Sequence, residues 1–263
     1  MSTVFCCCLC GSPTYKVLYA PRSVVQCRQC GLRSVFPQPA SVKYEDSYYD
    51  TFSGQAEDLS RMWQKRWDVL LQYAQQGRVL DIGAGTGMFL SLGKERFTVL
   101  GTEVSQYAVK RAKDRFHVEL TMHPEALPAA SFDCITAWHV LEHVQNPLTA
   151  LRTWQGLLKP GGYLFLAVPN DDSWKQRLKR LLRYKTLYFD ATPSREQHLS
   201  FFTLETLTQL LEKAGFLVVS VQADDYYGKR SLTSRISFSV SKMFTDIMPL
   251  QAASAVIVVA RKQ

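Results

Sequence analysis

The sequence predicts an α/β chain, an open parallel sheet with helices on both faces, led by a small metal-bound module. Three observations predict it. Short apolar strands alternate with amphipathic helices from residue 79 onward, the glycine triplet Gly83, Gly85 and Gly87 follows the first of those strands, and two C-x-x-C pairs, Cys7/Cys10 and Cys27/Cys30, precede them all. Alternating strand and helix implies parallel strands covered on both sides. Ligands in such sheets sit beyond the C-terminal ends of the strands.

The cysteines come first in the chain. The N-terminus shows no basic segment followed by an apolar stretch of secretory length, and no run of 18 apolar residues occurs, so a cytoplasmic protein with reduced thiols is expected. There, two C-x-x-C pairs separated by 16 residues have zinc-ribbon spacing, and four thiolates satisfy a tetrahedral zinc ion. Gly11 and Gly31 follow the two pairs and let the backbone turn tightly around the metal. A segment this short cannot bury enough apolar surface to fold alone, so zinc would supply the missing stability. Cys6, Cys8 and Cys134 have no partner at metal spacing and read as spare thiols. At 263 residues, 46% hydrophobic and 21% charged, the chain has room for the module and one globular domain. Its net charge of +8 leaves nucleic acid, anionic membrane and acidic small molecules open as partners.

A connector over 37–58, with two prolines and the aromatics Tyr44, Tyr48, Tyr49 and Phe52, is expected to be ordered and packed on something. Leu59, Met62, Trp63, Trp67, Leu70, Leu71 and Ala74 then fall at helical spacing up to Gly77. On that helix Arg61 and Arg66 are within reach of a bound carboxylate, with surface solvation the expected state of each. Val79, Leu80 and Ile82 form a strand, interrupted near its end by Asp81, before the glycines and the helix from Met88. A dinucleotide fingerprint would need glycine at 88 or 90, where Met88 and Leu90 stand, so a pyrophosphate turn is disfavoured. The triplet still lets the backbone approach a ligand closely. The next strand ends at Glu103, 20 residues past Gly83, where an acid can bridge the two hydroxyls of a ribose. A helix capped by Ser105, a short strand over 117–121, a strand over 131–140, a helix from Asn146 and a buried strand from Gly161 continue the alternation.

The segments "VLDIGAGTG", "GTEVS", "EALPAASFDCITAWHVLEHV", "LLKPGGYLFLAVPN" and "HLSFFTLETLTQLLEKAGF", in this order, resemble the class I S-adenosylmethionine (SAM)-dependent methyltransferases, in particular the ubiquinone-biosynthesis type of small-molecule methyltransferase with an N-terminal zinc ribbon. The resemblance implies a Rossmann-like, seven-stranded sheet whose last strand is antiparallel, with "FLVVSVQA" and "ASAVIVVARK" as the final hairpin. It implies a zinc ribbon over 1–36, a linker over 37–58 and a methyltransferase domain over 59–263 with a basic lid insertion at about 171–197. It also implies roles: Gly83, Gly85 and Gly87 under the methionine part of SAM, Asp81 near its amino group, Glu103 on the ribose, Ala126 and Leu127 along the adenine with Glu125 just before them, and Trp138 and His139 beside the methionine moiety.

Methyl transfer from a sulfonium mainly requires alignment and exclusion of water. A base is needed only if the acceptor loses a proton, and histidine suits neutral pH. His139 follows a strand directly and His198 stands where the family's substrate wall forms, so both are candidates, each with a structural role as the alternative. His143, one helical turn on from His139, is expected to be structural. In the insertion, Lys175, Arg177, Lys179, Arg180, Arg183 and Lys185 occur with no acid among them, and Trp174, Leu178, Leu181 and Leu182 recur at helical spacing. Such a helix can lie on an anionic membrane, cap a negatively charged substrate, or be a solvated lid. The expected function is methyl transfer to oxygen, nitrogen or carbon of a small biosynthetic intermediate, anionic or lipid-linked. The alternatives are an RNA methyltransferase, disfavoured because the basic residues concentrate in one apolar-striped helix, and a non-catalytic SAM-binding module.

Overall fold

The computed structural model describes residues 4–39, 49, 56–181, 198–224 and 253–263. The ribbon comprises β1 (Tyr15–Tyr19), β2 (Val24–Cys27) and β3 (Arg33–Val35), paired antiparallel in that order. Each C-x-x-C closes a tight turn. Gly11 donates to the Cys7 carbonyl at 2.8 Å and Gly31 to the Cys27 carbonyl at 3.2 Å. Both glycines hold positive φ, +75° and +77°, a conformation that a side chain would oppose.

After helix α1 (Ala56–Leu71) the alternation runs β4 (Arg78–Ile82), α2 (Met88–Gly93), β5 (Thr98–Thr102), α3 (Gln106–Arg111), β6 (Leu120–Thr121), β7 (Phe132–Trp138), α4 (Pro147–Leu157), β8 (Leu158–Pro169), α5 (Trp174–Leu181), β9 (Ser200–Phe201), α6 (Leu204–Lys213), β10 (Phe216–Ala223) and β11 (Ala255–Lys262). Seven strands form the main sheet in the order β10-β11-β8-β7-β4-β5-β6. β4, β5, β6, β7 and β8 are parallel, and β11 runs antiparallel between β8 and β10. This is the expected seven-stranded sheet with its last strand reversed. Leu80, Ile135, Leu164, Leu166 and Val258 are buried at its centre, and apolar strands covered on both faces need no polar alternation.

Several bounds differ from expectation. α1 starts at Ala56 and ends at Leu71, short of Gly77. The strand expected over 117–121 shrinks to Leu120–Thr121, because α3 runs on into a wider turn over Ala112–Phe116 that His117 closes in the left-handed region. Of the connector, Tyr49 is described and buried; Tyr44, Tyr48 and Phe52 lie outside the described residues. So do residues 182–197 of the basic insertion and residues 225–252. No helix among the described residues is long and apolar enough to cross a membrane.

The ribbon does not stand apart. Its sheet continues into β9, through Arg33 opposite Phe201 and Ser34 opposite Ser200. Phe5, Leu9 and Leu32 of the ribbon share one apolar cluster with Leu210 and Leu211 of α6.

Candidate active site

One cavity of about 970 Å³ opens at the C-terminal ends of β4, β5, β7 and β8, where an open parallel sheet places its ligands. It lies at the upper end of the roughly 300–1,000 Å³ usual for small-molecule sites, room for two molecules side by side. Gly83, Gly85 and Gly87 hold φ of +67°, +56° and +79°, and so carry the chain from β4 into α2 through a left-handed turn. A Cβ on Gly83 would lie 2.7 Å from Val140 Cγ2, whereas one on Gly85 would meet nothing within 4 Å. The turn is thus a bare backbone cradle facing the cavity.

Glu103 follows β5 and is buried. Its Oε2 accepts from Gly85 N–H at 2.9 Å, and its Oε1 from Val104 N–H at 2.7 Å, Ser105 N–H at 3.0 Å and the Tyr49 hydroxyl at 3.1 Å. Four donors fix the carboxylate beside the glycine turn. Asp81, buried one residue before the end of β4, accepts from the Thr136 hydroxyl at 2.6 Å. Burial pushes its carboxyl up to about 7, against the Thr136 hydrogen bond and the charge of Arg66.

The floor is charged. Arg66 is 1% exposed, its guanidinium lies 4.8 Å from the Trp63 ring centroid and 4.7 Å from that of Trp138, and it donates to Asp224 Oδ2 at 2.6 Å. This overturns the expected surface solvation of Arg66; Arg61 is exposed as expected. Two aromatic faces and a paired carboxylate compensate the guanidinium for its burial. Asp224 also meets His139 Nε2 at 3.3 Å, while His139 Nδ1 meets Glu142 Oε1 at 3.3 Å. Burial works to discharge His139, but the two carboxylates outweigh it and raise the imidazole to about 9.

His139 follows β7 at φ +57°, which swings the chain into a tight turn over Leu141–His143. That turn carries His143 toward His198, their rings 4.9 Å apart. His143 therefore lines the cavity, which leaves the expected structural role open. Glu142, 1% exposed, has its Oε2 buried without a hydrogen-bond partner among the described residues. Ligand atoms of Glu142, His143 and His198 lie within 4.8 Å of one another, a set suited to moving a proton or to holding a cation. Burial lowers the His198 imidazole to about 4, which keeps the ring neutral near pH 7.

Of the residues singled out from the sequence, Asp81, Gly83, Gly85, Glu103, Trp138, His139 and His198 all line this cavity. Gly87 instead caps α2, its Cβ position facing Ala112 at 3.1 Å. Ala126 is exposed and Leu127 packs on the main core, while Met122 and Pro124 supply the lining at that end. Glu125 is exposed beside His123. Tyr49, Thr136, Glu142 and Asp224 were not anticipated. Arg66 was detectable as a partner of the core: it lies three residues after Trp63 and four before Leu70, on the apolar face of α1.

Some 30 residues of ribbon hold the second cluster. Cys7, Cys10, Cys27 and Cys30 bring their Sγ atoms within 4.8 Å of one another, with Cys7–Cys30 and Cys10–Cys27 at 3.5 Å. Tetrahedral zinc with bonds of about 2.3 Å places its sulfurs about 3.8 Å apart, so the donor set fits that ion. Burial disfavours the Cys27 thiolate, but N–H groups of Cys30 and Gln29 outweigh it and hold the thiol at about 7. Burial pushes Cys8 and Cys134 up to about 12, and it raises the Cys7 thiol to about 11 and that of Cys30 as well, so it is the spacing and clustering of the four sulfurs that single out the ligand set.

Residues 55–221 match the family model described as "Methyltransferase domain". The ubiquinone biosynthesis O-methyltransferase of Vibrio parahaemolyticus is 31% identical over 103 residues, which cover 35% of this chain and 44% of that protein. Its counterpart in Vibrio vulnificus is 29% identical over 143 residues, covering 49% and 61%. The chain thus spans about half the length of the curated relatives it matches. A SAM dependent methyltransferase from Archaeoglobus fulgidus superposes with a TM-score of 0.57 at 21% identity, over 84% of this chain and 100% of that one, a likeness of fold.

Proposed function

The chain belongs to the methyltransferase-domain family, of the class I SAM-dependent kind, and on that premise we propose that it transfers a methyl group from SAM to a hydroxyl oxygen of a small acceptor, with His198 taking the acceptor's proton. The observation that carries this reading is one shared cavity with the glycine cradle and Glu103 on one side and neutral His198 beside Glu142 on the other. Bound there, SAM supplies an electrophilic methyl group. Gly83 and Gly85 admit it by leaving their backbone bare, Glu103 takes the ribose hydroxyls, and Asp81 takes the amino group. The charged pair of Arg66 and Asp224 fixes the floor. His139, held protonated with both ring nitrogens engaged, has no lone pair to offer and serves as an anchor. His198, neutral, has one. A phenolic hydroxyl ionises near pH 10, so an oxygen acceptor gains from a base that takes its proton as the methyl group arrives.

Cys7, Cys10, Cys27 and Cys30 would hold zinc as a structural ion. For an anionic acceptor the support is the charge of the basic insertion alone: Lys175 and Arg177 in the first turn of α5 do not line the cavity, and Arg177 pairs with Asp172 at 2.5 Å. A metabolite extract incubated with methyl-labelled SAM tests the proposal by mass spectrometry. Label in a new aryl or alkyl ether supports oxygen transfer, and label found only on amines, carbon or RNA overturns it.

A further inference from the structure

Residues 33–39 grip the acceptor side of the cavity from two directions. On one side, Val35 N–H donates to the Leu199 carbonyl at 2.9 Å, and Leu199 N–H donates to the Glu142 carbonyl at 2.7 Å. Leu199, 2% exposed, has both backbone groups committed, one to the ribbon and one to the turn that carries Glu142 and His143. On the other side, Gln38 Nε2 donates to the Gln145 carbonyl at 3.0 Å and Gln145 Nε2 donates to the Pro39 carbonyl at 3.3 Å. His143 and His198 are therefore each flanked, two residues and one residue away, by a hydrogen bond to this stretch. The grip is reinforced by the ion pair of Arg33 with Asp171, whose side chains are 14% and 4% exposed, and by Asp171 N–H donating to the Phe202 carbonyl at 2.9 Å. Among the described residues the cofactor side has no such tie to the ribbon. Gly83, Gly85 and Glu103 rest on β4 and β5, toward the β6 edge of the other sheet.

We propose that the four-cysteine ribbon is the positioning element of the acceptor wall: β3, through Arg33 and Leu199, sets where His198 stands relative to Glu142 and His143, and does not influence the cofactor cradle. The physical reason is the size of β9. A two-residue strand cannot hold its own register, so its position must come from its neighbours, β3 on one side and the 141–143 turn and Asp171 on the other, and β3 is itself held by β2 and the Cys27–Cys30 turn between them. Metal in the ribbon thereby becomes a requirement for an ordered acceptor wall, and its loss disorders that wall first. This inference rests on the reading of the cavity as a methyl-transfer site, but none of its readouts needs methyl transfer.

The test uses the full zinc-loaded chain. Hydrogen exchange is followed by mass spectrometry over 140–145, 198–202 and 79–103, the acylation rate of His198 by diethyl pyrocarbonate is read by peptide mapping, and SAM affinity is measured by calorimetry. In Arg33→Ala, zinc content and SAM Kd should stay within twofold of the parent, while exchange over 198–202 quickens about tenfold and His198 acylation quickens severalfold. Arg33→Lys should restore both. Because loss of Arg33 removes an ion pair from the buried Asp171 and can impair folding, the parent chain stripped with a zinc chelator provides a second arm. There 198–202 should loosen while 79–103 stays protected. If 198–202 stays protected in both arms, or if 79–103 loosens equally and SAM affinity falls with it, the ribbon does not position the wall and the proposal fails.

Discussion

The two halves of the cavity are built in opposite ways. The half assigned above to the cofactor draws its glycine cradle and its acid from one short stretch, 81–103, read off the ends of two neighbouring parallel strands. The acceptor half is gathered from Arg66, His139, Glu142, His143, His198 and Asp224, and the Arg66–Asp224 pair alone joins residues 158 positions apart. The first is specified by backbone needs and the second by side chains that meet only when the whole domain has closed. Damage to the first should therefore abolish cofactor binding locally, and damage to the second should spare it.

The sharpest break is Gly83→Val. Its Cβ would lie 2.7 Å from Val140 Cγ2, at a φ of +67° that β-branched residues avoid. SAM binding by calorimetry should weaken by more than about a hundredfold, and retained affinity would mean that the cradle is not where SAM sits. His198→Gln should cut methyl transfer by about a hundredfold, the scale of a lost general base, with SAM Kd unchanged. A parallel loss of SAM affinity would erase the distinction between the halves. Glu103→Ala should cost about 2 kcal/mol of SAM affinity, the scale of lost charged hydrogen bonds, and unchanged affinity would move the ribose elsewhere.

The smallest effect concerns pH. The Asp81 carboxyl, raised to about 7 in the folded chain from an ordinary 3.8, keeps its proton where the unfolded chain has released it. Stability without SAM should therefore fall as pH rises from about 4 to about 7. A bound ammonium favours ionised Asp81, so the SAM-induced rise in unfolding temperature should be larger near pH 8 than near pH 5.5. Equal rises at both pH values would separate Asp81 from the amino group.

The same contrast explains what could be read in advance. Gly83, Gly85 and Glu103 were legible because a left-handed turn demands glycine and the spacing to the acid follows from one βαβ unit. The four cysteines were legible because metal geometry fixes their spacing. Asp224 was not, since nothing local distinguishes an aspartate at the end of β10 from a solvated one. The pairing of β3 with β9 was not either, because two residues carry no periodicity. Ala126 and Leu127 were carried over from the resemblance, and the tight turn over Pro124–Ala126 leaves Ala126 in solvent and the cavity to Met122 and Pro124.

Leu199 also bears on how such a chain can change over time. With its position set by the ribbon and by the 141–143 turn, as proposed above, the length of the segment between Asp171 and His198 need not determine where His198 ends up. Residues added or removed there should leave the histidine in place. On that reading the segment is open to evolutionary experiment: its sequence and length could be exchanged to suit new acceptors without moving His198.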